Sequence, residues 1–74
     1  MKCTVKLIWD NESSSWYCKS KEIPGLILGA ASPDVLIHKV RMAAPEILEL
    51  NYGYKGIVKL KFEIEREDIL EMAS

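Results

Sequence analysis

Residues 2–9, KCTVKLIW, alternate between two faces. Cys3, Val5, Leu7 and Trp9 share one side, and Lys2, Thr4, Lys6 and Ile8 share the other. Successive side chains of an extended backbone point to opposite faces, so this period of two predicts a half-buried strand. The run DNESSS breaks the pattern with turn-forming residues. WYCKS resumes it, with Trp16, Cys18 and Ser20 on one face and Tyr17 and Lys19 on the other. The two strands read as a hairpin with a loop of about six residues. Centring that hairpin between Glu12 and Ser13 sets Trp9 across from Trp16 and Leu7 across from Cys18, both pairs inward. Cys3 then lies at the far end of the hairpin from Cys18, too distant for an intrachain disulfide.

Pro24-Gly25 is a turn signal, and Leu26, Leu28 and Ala30 after it fit a short third strand. Ser32-Pro33-Asp34 is a helix start. Serine caps, proline occupies the first helical position, and aspartate complements the positive end of the helix dipole. Leu36, Val40, Ala43, Ile47 and Leu50 follow at spacings of four and three, with Ile37, Ala44 and Leu48 beside them. That is an apolar stripe, and it predicts a core-facing helix to about Leu50. Pro45 falls opposite the stripe, where it removes one backbone bond and bends the helix or begins a second segment. NYGYKG is a loop. In GIVKLKFEIE the alternation returns, with Val58, Leu60, Phe62 and Ile64 inward and Ile57, Lys59, Lys61 and Glu63 outward. Residues 66–74 read as a short helical turn or a frayed end.

The order β-β-β-α-β gives an α+β fold. Three strands form a meander, and a helical crossover leads to a fourth strand that can run parallel to the first. One helix packs on one face of a four-stranded mixed sheet, and the other face has no second layer. With 74 residues the chain forms one domain, divided as an α+β body over 1–65 and a short acidic tail over 66–74. A core this small is often supplemented by oligomerisation.

Charge is close to balanced, with net −1, so the strongly basic footprint of a nucleic-acid binder is missing. Its distribution is uneven. The body is slightly basic, whereas residues 65–74 set Arg66 against Glu65, Glu67, Asp68 and Glu71. No secretory leader and no membrane-spanning apolar run is seen, and two cysteines without such a leader are expected to stay reduced. The expected location is the cytoplasm.

Catalysis finds little support. Nucleophilic chemistry needs Ser or Cys beside a base, and the single histidine, His38, projects away from the apolar stripe. Cys3 and Cys18 read as small core hydrophobes. Neither a Cys/His metal motif nor a glycine-rich phosphate loop is present. The expectation is a non-enzyme that holds no cofactor and no metal.

The outward sheet face is more informative. Lys2, Lys6, Lys19, Lys59 and Lys61 project there, together with Ile8, Tyr17 and Ile57. A lysine-rich face with apolar and aromatic residues suits an acidic partner, RNA or another sheet. Lysines on exposed strands also serve simply to prevent edge-to-edge aggregation. The apolar members form a candidate association patch, and this face or an edge strand is a candidate homodimer contact.

Taken together, Trp9-Asp10, Trp16, Ile23-Pro24-Gly25-Leu26 and the helical stretch Ala43-Ala44-Pro45-Glu46-Ile47-Leu48-Glu49-Leu50-Asn51 resemble the HicB-like antitoxin superfamily, in particular its short single-domain branch. The resemblance covers roughly residues 1–65. It implies a partial ribonuclease-H-like fold and a binding module that covers the active surface of a HicA-like toxin, a small cationic ribonuclease. It also implies a homodimer or higher homo-oligomer. The chain stops at Ser74, so the C-terminal DNA-binding domain of many HicB proteins is not expected. The candidate partner-binding residues are Lys6, Ile8, Tyr17, Lys19, Lys59, Lys61, Glu65, Glu67 and Asp68. The alternatives are a stand-alone nucleic-acid-binding sheet and an oligomeric scaffold.

Overall fold

A computed structural model describes residues 1–73. The chain forms β1 (Lys2–Asp10), β2 (Ser15–Lys19), β3 (Gly29–Ala30), α1 (Pro33–Tyr52) and β4 (Lys59–Glu65). The sheet order is β3-β2-β1-β4. β1 pairs antiparallel with β2 and parallel with β4. The hairpin register follows the alternation, with Trp9 opposite Trp16 and Leu7 opposite Cys18. The loop is tighter than expected. Pairing extends to Asp10 and Ser15, which leaves residues 11–14 as the turn. Asp10 causes this: its Oδ1 accepts from the Glu12 N–H at 3.1 Å and its Oδ2 from the Ser13 hydroxyl at 2.9 Å, an aspartate-anchored turn.

The third strand is shorter than the expected Leu26–Ala30 run. Pro24 and Gly25, the latter at φ 81°, form a turn closed by the Leu26 N–H donating to the Ile23 carbonyl at 3.4 Å. Such a turn requires positive φ at its second central residue, and glycine adopts it without strain. It drives both Ile23 and Leu26 into the core and leaves Ile27 exposed. The chain rejoins the sheet only at Leu28, whose carbonyl accepts from the Cys18 N–H at 3.3 Å.

Ser32 caps α1 by accepting from the Val35 N–H at 3.2 Å, and Gly53, at φ 61°, terminates it with its N–H on the Glu49 carbonyl at 2.8 Å. The helix is continuous through Pro45, which lies on the exposed side. Its buried row is Leu36, Val40, Ala44 and Leu48, with Ile37, Ala43 and Ile47 half-buried. Leu50, expected in the stripe, is 85% exposed. At about 100° per residue it sits on the far side from Leu48, the residue the core takes in that turn.

Cys3, Val5, Leu7, Trp16 and Cys18 supply the sheet half of the core. The helix lies over β2 and β3, so cover thins toward β4. Leu60 and Phe62 are half-buried, and Ile64, expected inward and buried, is 59% exposed. It shares the helix side of the sheet with Leu7, its neighbour on β1, but nothing roofs it. After Glu65 the chain leaves the sheet, and no helical turn forms over 66–73. Ile69, Leu70 and Met72 on this arm are all exposed, and the molecule is 57 Å long against 19 × 18 Å in cross-section. The tail expected over 66–74 includes Ser74, which lies outside the described residues.

Candidate functional site

The strand registers arrange the helix-free face in rows that run from β4 through β1 to β2. They are Lys59–Lys2, Lys61–Thr4, Glu63–Lys6–Lys19 and Glu65–Ile8–Tyr17. Lys6, Ile8, Tyr17, Lys19, Lys59 and Lys61 therefore share one surface, as the alternation implies. Lys6 lies directly across from Lys19, and Lys2 across from Lys59. Like charges in cross-strand positions disfavour a sheet, and glutamates offset them here. Lys6 Nζ is 3.2 Å from Glu65, and Lys61 Nζ is 3.5 Å from Glu63. These pairs are exposed to solvent and add little stability, but they make the face mixed in charge. Ile57 does not join it: β4 begins only at Lys59, so the expected Ile8–Tyr17–Ile57 patch is not formed as a unit.

Beside the end of β2 the face deepens into an open groove of about 840 Å³, lined by Lys6, Tyr17, Lys19, Ser20, Lys21 and the 22–28 loop. Glu22 replaces the missing part of β2, its Oε1 accepting from the Thr4 N–H at 2.7 Å. Lys19 holds its ammonium 6.0 Å over the Tyr17 ring.

The acidic candidates lie elsewhere. Glu65 ends β4, whereas Glu67 and Asp68 belong to the arm. Asp68 Oδ2 pairs with Arg66 Nε at 3.1 Å. The arm's root is fixed by a cluster that the pattern reading left out. Arg66 holds its guanidinium 4.3 Å over Trp9 and 5.8 Å over Trp16, and the two indoles meet edge to face at 5.4 Å. A cation over an indole face is attracted to the ring's negative quadrupole. The signal was present: Arg66 continues the Leu60, Phe62, Ile64 side of the alternation, one step beyond the row of Leu7.

His38 is exposed on α1. Among the described residues no group of three or more His, Cys, Asp or Glu side chains is placed to hold a metal ion, and no helix is long and apolar enough to cross a membrane. Cys3 and Cys18 are free and buried. Burial pushes both thiols up, helped at Cys3 by the Glu22 carboxylate. Since the thiolate is the reactive form, neither thiol should be alkylated at neutral pH in the folded protein, and both should be once it is unfolded. A thiol held up in the folded state favours folding below its unfolded pKa. Stability should therefore fall as pH rises beyond about 8.5, by up to ~1.4 kcal/mol per pH unit for each cysteine. Urea melts between neutral pH and the folded-state thiol pKa values check this, and a flat profile contradicts it.

Among curated proteins none matches the chain. A crystal structure of a hypothetical protein from the extremely thermophilic bacterium Thermus thermophilus is similar to it, with 31% identity and a TM-score of 0.81 over 95% of this chain and 100% of that one. Residues 2–73, which take in the arm as well as the sheet and helix, match the family described as a domain of unknown function (DUF1902). The chain belongs to that family.

Proposed function

We propose that the protein is a non-catalytic binding module that inhibits a small cationic ribonuclease, in the manner of the HicB antitoxins it resembles. The observation that carries this reading is the arm. Beyond Arg66, residues 67–73 are exposed and combine Glu67, Asp68 and Glu71 with Ile69, Leu70 and Met72. Acidic groups steer a cationic partner toward contact, and apolar side chains give it something to bury. Glu65, at the root of the arm, adds to the same field.

Replacing Glu65 and Glu67 by Gln, Asp68 by Asn and Glu71 by Gln should lower the association rate with such a toxin by on the order of tenfold at low ionic strength. The dissociation rate should change far less. An unchanged association rate in stopped flow removes the steering role. The wider reading is tested by purifying the tagged chain from its native host with nuclease treatment. Recovery of a small basic ribonuclease, inactive until separated, supports it, and recovery of the chain alone overturns it.

A second reading, a nucleic-acid-binding sheet, is favoured by the Lys6–Lys19 pair beside the groove, with Tyr17 as a stacking surface. It requires retardation of RNA or single-stranded DNA that weakens steeply with salt, and no retardation at about 50 mM salt eliminates it.

A further inference from the structure

We propose that β4 is the dimer strand: two copies join β4 to β4 antiparallel about a twofold axis at Phe62, making one eight-stranded sheet. This goes beyond the inhibitor reading and does not depend on it.

β4 is an edge strand seven residues long, with no strand on its outer side among the described residues. Long unprotected edges are templates for pairing with another chain. The opposite edge, β3, has only two residues.

Backbone orientation decides which residues can bond across the free edge. The Lys59 N–H turns inward to the Met1 carbonyl at 2.9 Å. In a parallel ladder a residue's N–H and C=O point the same way, so residues 59, 61, 63 and 65 serve β1. Leu60, Phe62 and Ile64 then present theirs to the free edge. In an antiparallel pair, residues that exchange both bonds lie directly opposite each other. A twofold axis at Phe62 makes Phe62 such a pair with its own copy, and Leu60 with Ile64 of the second copy. Every free donor and acceptor of the three residues is then satisfied.

Side chains select this register among those the backbone allows. The strand reads Lys-Leu-Lys-Phe-Glu-Ile-Glu. About Phe62 it sets Lys59 against Glu65 and Lys61 against Glu63 of the other copy on the helix-free face. On the helix face it sets Leu60 against Ile64 and Phe62 against Phe62. Moving the axis to Lys61 sets Lys61 against Lys61, and moving it to Glu63 sets Glu63 against Glu63, so both neighbouring registers oppose like charges; axes at Leu60 and Ile64 likewise set Lys59 against Lys61 and Glu63 against Glu65. The axis stands perpendicular to the sheet, so both helices lie on the same side. The half-covered Leu60 and Phe62 and the exposed Ile64 of the two copies then form one apolar strip between the helices. This gives Ile64 the cover that one chain does not provide. Each arm leaves the interface past Lys59 of the other copy, so the pair presents two arms.

Multi-angle light scattering on the full chain at micromolar concentration should give twice the 8.4 kDa chain mass, about 17 kDa. A monomer mass up to high micromolar concentration overturns the proposal. Lys61→Glu and Glu63→Lys, both exposed enough to fold normally by circular dichroism, should each raise the dissociation constant roughly tenfold or more, by opposing like charges twice across the axis. Mixing the two single variants should restore the 17 kDa species as a heterodimer, as should the double exchange within one chain. A dimer indifferent to both single changes, or a mixture that stays monomeric, overturns the Phe62 register. Neither result bears on toxin binding, which is read separately from inhibition.

Discussion

Leu7→Ala should cost about 2–5 kcal/mol, the usual range for removing a leucine side chain from a packed interior. Leu7 is 0% exposed and lies in the middle of β1, between Cys18 on β2 and Ile64 on β4. Strands on both sides hold its backbone in place, so the cavity cannot close by backbone movement. A domain of 74 residues has a total stability of about 4–11 kcal/mol. The variant should therefore melt at a much lower denaturant concentration, or be largely unfolded at physiological temperature. Urea unfolding followed by far-ultraviolet dichroism measures this. A loss below about 1 kcal/mol would mean that the centre of the sheet is not the centre of the core.

Trp16→Ala should have a comparable effect, about 3–5 kcal/mol. Trp16 is buried on β2, packs edge to face on Trp9, and lies beneath the Arg66 guanidinium. Its loss removes the largest side chain in the core and the lower half of the clamp that holds the root of the arm. Trp9→Ala should cost distinctly less, because Trp9 is only half-buried, yet it removes the nearer ring from Arg66. The two variants thus separate folding from arm positioning. Trp16→Ala should shift the unfolding midpoint strongly, whereas Trp9→Ala should mainly loosen the arm, read as faster proteolysis after Glu65 with a modest midpoint shift. Equal midpoint shifts for the two would contradict this assignment.

The lysine face and the arm were legible to different degrees. Lys6, Lys19, Lys59 and Lys61 fall on one surface because each strand alternates and the registers keep the alternations in phase. Which lysines find partners was not legible. The contacts of Lys6 with Glu65 and of Lys61 with Glu63 depend on side-chain reach across a twisted sheet. The acidic residues of the arm are plain in the sequence, but its extended course is not. A segment this short carries no periodicity that distinguishes a helical turn from an extended arm.

Several features were determined by the sequence alone: the β-β-β-α-β order, the Trp9–Trp16 register, the Ser32 start of the helix and the parallel return of β4. The first three follow from interactions between residues near in the chain, and the fourth from the handedness and length of the helical crossover. The local interactions are the period of extended or helical backbone, the preference of serine and proline at a helix start, and the turn that joins two strands. The tertiary structure alone decided the exposure of Leu50 and Ile64, the early end of the third strand and the stacking of Arg66 on two indoles. The exposure of Leu50 and Ile64 depends on where the helix comes to rest across the sheet, the third strand on the turn that carries Ile23 and Leu26 into the core, and the stacking on the end of β4 meeting the hairpin. Ile23 and Leu26 fill the space near β2 and β3, the helix settles over those strands, and β4 is left with a half-covered face and a free edge.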